Sequence, residues 1–322
     1  MPPLTGGAKS TPNLTNIMAY DSIIPDSFPN LYSDQWRLGV QQLGSRLDGV
    51  VNTEIIHGEG KRFQKLPSIT ARQITTRFGD TNPDDIAVEY RWLYVNFKDS
   101  AHILDRRETL QLGSVGSPHS QIMRLQLAAA GRDRDKTLID GIRGSVASGK
   151  TGGTPIALPA AQKIANTVGP ATPAANNLHF GKFIEACRIL GTSDVAGQDV
   201  ENQSPLTLII SHNQVASLLK QTQFTSSDYG LQRLMSGEVV NFMGVAIKAV
   251  SPTLLPKVSN DRYCYMFARN SVIFGLAENP TAWVDELPTK RHDVQLRTEW
   301  GWGCTRLDDE GVVEILCDET AA

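Results

Sequence analysis

The sequence lacks a dominant sign of charge: 31 Lys and Arg stand against 34 Asp and Glu, a net charge of −3 with the six His neutral. A chain so balanced has no overall field to gather polyanions, which excludes a typical nucleic-acid binder. Long apolar runs are missing too; none approaches the roughly 18 residues needed to span a bilayer. The opening MPPLTGGAKSTPNLTNIMAY has no basic stretch followed by an apolar one, which excludes a secretory signal. Cysteine is scarce. Cys187, Cys264, Cys304 and Cys317 are scattered without close pairing, which indicates neither a zinc site nor a disulfide framework and predicts reduced thiols in a reducing compartment. No internal repeat or low-complexity tract is present. What is there is ordinary: 40% hydrophobic, 7% aromatic and 20% charged residues in a chain of 322. That supplies core for one large domain or two average ones of roughly 100 to 200 residues each.

The first thirty residues are rich in Pro, Gly, Asn, Ser and Thr, follow neither a helical nor a strand period, and read as an arm. From Asp34 to Val50, Trp36, Val40, Leu43 and Leu47 recur at helical spacing, which predicts a helix weakened by Gly39 and Gly44. Two stretches rich in β-branched and aromatic residues, SITARQITTRF (68–78) and DIAVEYRWLYVNF (85–97), flank the turn-prone GDTNPD and predict a hairpin. In its second strand Val88, Tyr90, Trp92 and Tyr94 share one face, and Glu89, Arg91, Leu93, Val95 and Phe97 the other. Eleven residues at roughly 3.3 Å each make an arm about 36 Å long, against a radius of gyration of roughly 20 Å for a compact chain of this length. Such a ribbon is expected to reach a neighbour; the alternative is an ordinary edge hairpin.

Ser117 before Pro118 is a helix entry, and Met123, Leu127, Ala130, Arg134, Leu138 and Ile142 follow at intervals of three or four, predicting a helix roughly 40 Å long that stops at Gly144. Helices then alternate with short apolar strands. Phe180, Phe183, Ile184, Cys187 and Leu190 line one face of a helix ending at Gly191. LTLII after Pro205 suits a buried strand, and Ser211 with Gln214 forms a capping box for the helix after it. VVNFMGVAIKAV, YCYMFA and SVIFGLA read as strands, so residues 151–278 predict one mixed α/β domain. The last forty residues return to strands, HDVQLRT and EGVVEIL, separated by a turn rich in Gly, Trp and Asp.

Gly144-Ser-Val-Ala-Ser-Gly149-Lys150-Thr151 fits the phosphate-binding loop G-x-x-x-x-G-K-[ST] letter for letter. That chemistry needs a strand before the loop and a helix starting at the Lys. Here a helix precedes the motif and Gly152, Gly153 and Pro155 follow it, so a linker is the better reading. The six histidines are single, the acid pairs sit in turns, and no nucleophile has a catalytic neighbourhood. No catalytic residue, cofactor or metal is expected. A local imbalance is more informative: Lys61, Arg62, Lys65, Arg72 and Arg77 make the hairpin's base and first strand basic, with Glu59 and Asp80 the nearest acids. They form either a solvated face or a surface that docks on an acidic patch of another copy.

The order of these parts resembles the tailed-bacteriophage major capsid protein family over nearly the whole chain. The resemblance is most specific in ITTRFGDTNPDD, in GRDRDKTLIDGIRGSVASGKTGG and in RHDVQLRTEWGWGCTRLDDEGVVEIL, and SHNQVASLLKQTQFTSSDYGLQRLMSGEVVNFMGVAIKAV is similar to the centre of that family's axial domain. It implies an α+β fold with an N-terminal arm (1–50), an extended loop with supporting strands (51–110) and a peripheral-domain segment (111–150) whose spine helix covers 117–143. An axial domain (151–278) and returning peripheral strands (279–322) complete it. Contact with neighbouring copies is expected through Trp36, Lys61, Arg62, Phe63, Lys65, Arg72, Arg77, Tyr90, Trp92 and Tyr94.

The implied function is a major capsid protein that assembles through hexamers and pentamers into the icosahedral shell around the DNA of a tailed phage. Its partners would be further copies of itself, a separate scaffolding protein, a portal and a decoration protein. Double-stranded DNA would be enclosed without sequence-specific contact, no membrane would be involved, and assembly would take place in the host cytoplasm before the protein resides in the virion. Two competing readings are a nucleotide hydrolase using Gly144–Thr151 and a phage tail structural protein.

Overall fold

In the computed structural model the described residues are 41–66, 69, 71–73, 75, 77, 80, 86–105, 119–168, 175–193, 205–221 and 241–320. Strands β1 (Asn52–Ile55), β2 (Gly60–Lys65), β3 (Glu89–Tyr94) and β4 (Asn96–Leu104) precede the long helix α1 (His119–Arg143). Short strands β5 (Val146–Ser148), β6 (Thr154–Ile156) and β7 (Lys163–Ile164) follow, then α2 (Phe180–Thr192), β8 (Leu206–Ser211), α3 (His212–Leu219), β9 (Asn241–Phe242), β10 (Val245–Val250), β11 (Lys257–Val258) and β12 (Asp261–Ala268). Three longer strands, β13 (Val272–Leu287), β14 (Asp293–Arg306) and β15 (Val312–Asp318), end the described chain.

The strands make three sheets. The largest, seven strands, runs β7-β15-β12-β8-β10-β9 with β11 attached to β12. The apolar run LTLII becomes β8 at its centre, parallel to β10 and antiparallel to β12, with Leu208, Ile209 and Ile210 fully buried. Ser211 caps α3, but not through the expected capping box: its hydroxyl accepts from the Asn213 amide and donates to the Gln214 side-chain oxygen, so the Gln214 side chain is held by the hydroxyl and not by the Ser211 backbone N–H. The described part of VVNFMGVAIKAV, residues 241–250, is two strands, because Met243 and Gly244 both take positive φ and close a tight hairpin between β9 and β10. In α2, Phe183, Ala186 and Leu190 enter the core, but Ile184 is exposed and the helix runs past Gly191 to Thr192.

The returning strands divide between sheets. β13 and β14 belong to the four-stranded sheet β1-β13-β14-β4, whereas β15 inserts between β7 and β12 of the seven-stranded one. The expected Gly- and Trp-rich turn is strand instead. Trp300, Trp302 and Cys304 are all in β14, and the chain reverses only beyond Arg306. Alternation explains this: Trp300 and Trp302 point to α1, where both indole N–H groups donate to Asp133 at 3.0 Å, and Gly301 and Gly303 fall on the opposite face.

Helix α1 lies across β14, with the Gln126 amide donating to the Leu296 carbonyl and accepting from Thr298. The single apolar stripe predicted for it holds at Ala130, Leu138 and Ile142; Met123 and Arg134 are half-buried and Leu127 is 54% exposed, while Gln126, Ala128 and Asp135, off the stripe, are buried. The helix is flanked on a second side by residues 41–51, so its buried surface is wider than one stripe. Residues 41–50 contain no helix, and the rest of the helix predicted there lies outside the described residues. Buried Asp135 takes them instead, accepting from the Ser45 hydroxyl (2.6 Å), the Gln42 amide (2.5 Å) and the Arg46 and Leu47 backbone N–H groups (3.0 and 3.2 Å). Gly131 lets the two backbones meet, since a Cβ there would stand 2.9 Å from the Gly44 carbonyl carbon.

Candidate assembly surface

The expected hairpin exists, but its first strand comes earlier than predicted. β2 pairs with β3 in a six-residue antiparallel ladder from Gly60↔Tyr94 to Lys65↔Glu89. Of 68–78, the residues Ile69, Ala71, Arg72, Gln73, Thr75 and Arg77 lie in no strand, and the other positions fall outside the described residues. Strand propensity needs a partner edge to be expressed, and Gly60–Lys65 occupies that edge of β3.

The two faces of β3 separate in its centre: Arg91 and Leu93 are buried, as is Val95 just past the strand, while Tyr90 and Trp92 are half-buried and Tyr94 is 48% exposed; Glu89 and Phe97, expected on the buried face, are exposed. The buried face crosses β13 and β14 on a floor of glycines. A Cβ on Gly275 would collide with Leu93 and Ile56, one on Gly303 with the Tyr94 carbonyl, and one on Gly301 would stand 2.6 Å from the Phe97 ring. At Gly303 the close atom is backbone, so there only glycine admits the approach.

A buried charge triad fixes the crossing. The Asp309 carboxylate accepts from Arg306 Nε at 3.0 Å and from Arg91 Nη2 at 2.8 Å. Arg306, fully buried, also donates to the Ile142 carbonyl, to that of Gly144 at 2.6 Å and to that of Ile156 at 3.3 Å. It thereby satisfies carbonyls that the end of α1 leaves without intrahelical partners. One guanidinium ties the spine helix to the C-terminal turn, and the shared carboxylate ties both to the hairpin.

The expected contact residues divide between these faces. Lys61 pairs with Glu54, and Lys65 with Asp308 at 2.7 Å, so both cations are engaged within the subunit. Burial opposes the charge on Lys65, but the hydrogen bond and the attraction of Asp308 outweigh it and raise its pKa. Phe63 packs against the small cluster of Ile56, Leu93, Val95 and Ile273. Arg62 is on the open face, its guanidinium 4.7 Å from the Tyr90 ring centre and 5.9 Å from that of Trp92. Trp92 and Tyr94 stack with their rings 8° apart. Arg72 and Arg77 are exposed, and Trp36 lies outside the described residues.

The Gly-Lys-Thr motif joins this open face and does not form a nucleotide site. Val146–Ser148 and Thr154–Ile156 are the two arms of a small hairpin, and Gly149 and Gly152 turn between them at φ 86° and 76°. The Gly149 carbonyl accepts the Trp92 indole N–H at 2.9 Å, and Gly152 leaves no room for a Cβ beside the Tyr94 hydroxyl. No helix begins at Lys150, so the backbone donors a phosphate requires are not gathered there.

Three features escaped the sequence. Lys182, in the first turn of α2, is fully buried; its ammonium donates to the carbonyls of Asn176 (2.5 Å) and Leu316 (2.9 Å), and desolvation lowers its pKa. Glu319 collects Arg262, Lys257, Gln214 and Asn213, and hydrogen bonding led by Arg262 draws its carboxyl down to about 2. The third is the floor that Gly275 and Gly303 make under β3, whose partial signal was the alternation Gly301-Trp302-Gly303. All four cysteines are free thiols; Cys264 and Cys317 are buried in the seven-stranded sheet, and burial pushes Cys187 up to about 11 and Cys304 up to about 12.

The same architecture occurs in solved capsids. A chain of Mycobacterium phage Che8 superimposes with a TM-score of 0.66 at 16% identity, covering 90% of this chain and 97% of that one. The Cyanophage Pam1 capsid asymmetric unit gives 0.67 at 11%, with 92% and 98% covered. The capsid of a native GTA particle gives 0.63 at 10%, with 91% and 96% covered. At these identities the likeness establishes the fold. No curated protein matches the sequence. The family model described as phage capsid protein matches residues 24–319, nearly the entire chain, and the protein therefore belongs to the phage capsid protein family.

Proposed function

We propose that this capsid protein builds its shell through the face of β2 and β3 that carries Arg62, Tyr90, Trp92 and Tyr94. The observation that carries the reading is an aromatic stripe backed by Gly275, Gly303 and the Arg91–Asp309–Arg306 triad, with Tyr94 and Arg62 exposed in front and Tyr90 and Trp92 half-buried. Trp, Tyr and Arg are the side chains that dominate interface energetics when a partner desolvates them. A closed shell needs heterologous contacts that repeat by rotation, and hexamers and pentamers of one chain supply them. Many such contacts made together hold the particle although each is modest.

A separate scaffolding protein, a portal and a decoration protein are the partners this reading adds, with assembly in the host cytoplasm. Double-stranded DNA is the cargo, enclosed without sequence-specific contact by a chain of net charge −3. The test is electron microscopy of the purified chain, expressed alone and with scaffold. Closed shells or rings of five and six are expected. Tubes or fibres would favour a tail protein, and permanent monomers under both conditions would remove the reading.

A further inference from the structure

We propose that the Arg62 face of one copy docks on the Trp283–Asp285 face of β13 and β14 in a second copy. The inference rests on the shell reading above and names the surface that the open stripe meets.

The receiving face follows from register. Cross-strand partners share a face of a sheet, and even-numbered residues of β14 point to α1: Leu296 is fully buried, and Trp300 and Trp302 reach Asp133. Arg297 and Gln295 therefore point the other way, together with their partners Trp283 and Asp285 on β13 and Ala101 and Ile103 on β4. Near Gly303 this side is covered by Tyr94 of β3, and near Gly301 by the Phe97 ring of β4. Farther along it is open, and Trp283 is 50% exposed there.

The two faces complement each other. The donor face has an aromatic centre, Tyr90, Trp92 and Tyr94, and two cations, Arg62 and Lys150, that no carboxylate neutralises among the described residues. Lys61 and Lys65, the cations most obvious in sequence, are already neutralised by Glu54 and Asp308. The receiving face has an apolar centre in Trp283 and Ile103. Around it, Asp99, Glu299 and Asp285 outnumber Arg297, which pairs with the first two at 3.2 and 2.9 Å and leaves Asp285 without a cation among the described residues. Arg62 and Asp285 are thus charges of opposite sign with no ion-pair partner in that set, Arg62 beside the half-buried Tyr90 and Trp92 and Asp285 two residues from the exposed Trp283. Because the faces differ, the contact is heterologous and passes from copy to copy, as a closing ring requires. Charge of this kind fixes register and partner choice.

The experiment is a charge swap, with thermal unfolding used to confirm that each variant subunit is folded. Arg62→Glu and Asp285→Arg alone should each lower shell yield about tenfold or more, and the double variant should recover most of it. Single variants that assemble like the parent overturn the pairing, as does a folded double variant that stays as defective as the singles. Sedimentation of unassembled subunits in low salt separates the two readings. If the parent makes no shells but self-associates in a way lost on Arg62→Glu and regained in the double variant, the pairing stands and the shell reading falls. If the parent and both single variants form shells equally well, the shell reading stands and the pairing falls.

Discussion

Gly303 of β14 lies directly beneath Tyr94, so close that a Cβ on it would collide with the Tyr94 carbonyl oxygen. The collision is with backbone, which cannot turn aside as a long side chain can. Gly303→Ala is therefore expected to destabilise the subunit by about 3 kcal/mol or more, or to prevent its folding. Gly191→Ala is the control. Beyond its own helix backbone no atom would lie within 4 Å of a Cβ there, and the residue is helical, so the change should stabilise by about 0.5 kcal/mol. Urea unfolding midpoints of the two variants check both signs.

Removing the carboxylate of the buried triad should be costly. Asp309→Ala leaves Arg91 and Arg306 buried side by side without their shared acceptor, and a loss of about 3 to 5 kcal/mol is expected. Replacing Arg306 by Met should cost less than removing Asp309 if the apolar chain fills the space, although the carbonyls at the end of α1 lose their donor. Equilibrium denaturation of the two variants gives the order.

Asp135→Ala should free the N-terminal segment without melting α1. Four donors, from Gln42, Ser45, Arg46 and Leu47, lose one acceptor group, at about 1 to 3 kcal/mol for each donor left buried. Hydrogen exchange should accelerate at the amides of 46 and 47 and remain slow at Leu138 and Ile139. Equal acceleration at both would place the carboxylate's role in the helix itself.

The Glu319 hub gives a signed pH dependence. Its carboxyl is held down to about 2 by hydrogen bonds from Arg262 and, more weakly, from Lys257, Gln214 and Asn213. A depressed acid pKa adds stability above its unfolded value, near 4.5, and loses it as pH falls toward the folded one. Glu319→Gln should therefore lower the melting temperature at pH 7, and the difference from the parent should shrink between pH 4.5 and pH 2. A constant difference across that window would refute the linkage.

Thiol chemistry should report the folded state. Burial pushes Cys304 up to about 12 and Cys187 up to about 11, and Cys264 well above its ordinary value. Since the thiolate is the nucleophile, iodoacetamide at pH 8 should label these three slowly in the native subunit and completely after denaturation. Peptide mass spectrometry resolves the sites.

Much of the fold was written locally. LTLII, apolar but for Thr207, is buried on both faces in β8; the centre of DIAVEYRWLYVNF, Glu89–Tyr94, becomes β3; the intervals from Leu138 to Ile142 place the last turns of α1 on the core. The misreadings share one cause. SITARQITTRF has strand propensity, but Gly60–Lys65 takes the edge it would need. Leu127 has the right spacing for a core stripe, but the helix is buried on two sides and turns Leu127 outward. The phosphate-loop letters are present, but two left-handed glycines bend them into a hairpin under Trp92.

The candidate surface was half legible. The aromatic stripe and the basic cluster were plain in sequence, and which cations are engaged was not. Lys61 and Lys65 look equivalent to Arg62 in the string, but Glu54 and Asp308 reach the two lysines, and Arg62 lies over Tyr90 and Trp92. By itself the sequence determined the scarcity of cysteine, the near-neutral charge, the secondary-structure periods and the order of parts, because each depends on composition or on neighbours along the chain. Only the tertiary structure decided that Arg91 and Asp309, more than two hundred positions apart, share one buried ion pair. It alone placed β15 between β7 and β12, and glycines 275 and 303 beneath β3. Those are long-range pairings, set by which surfaces bury each other when the whole chain closes.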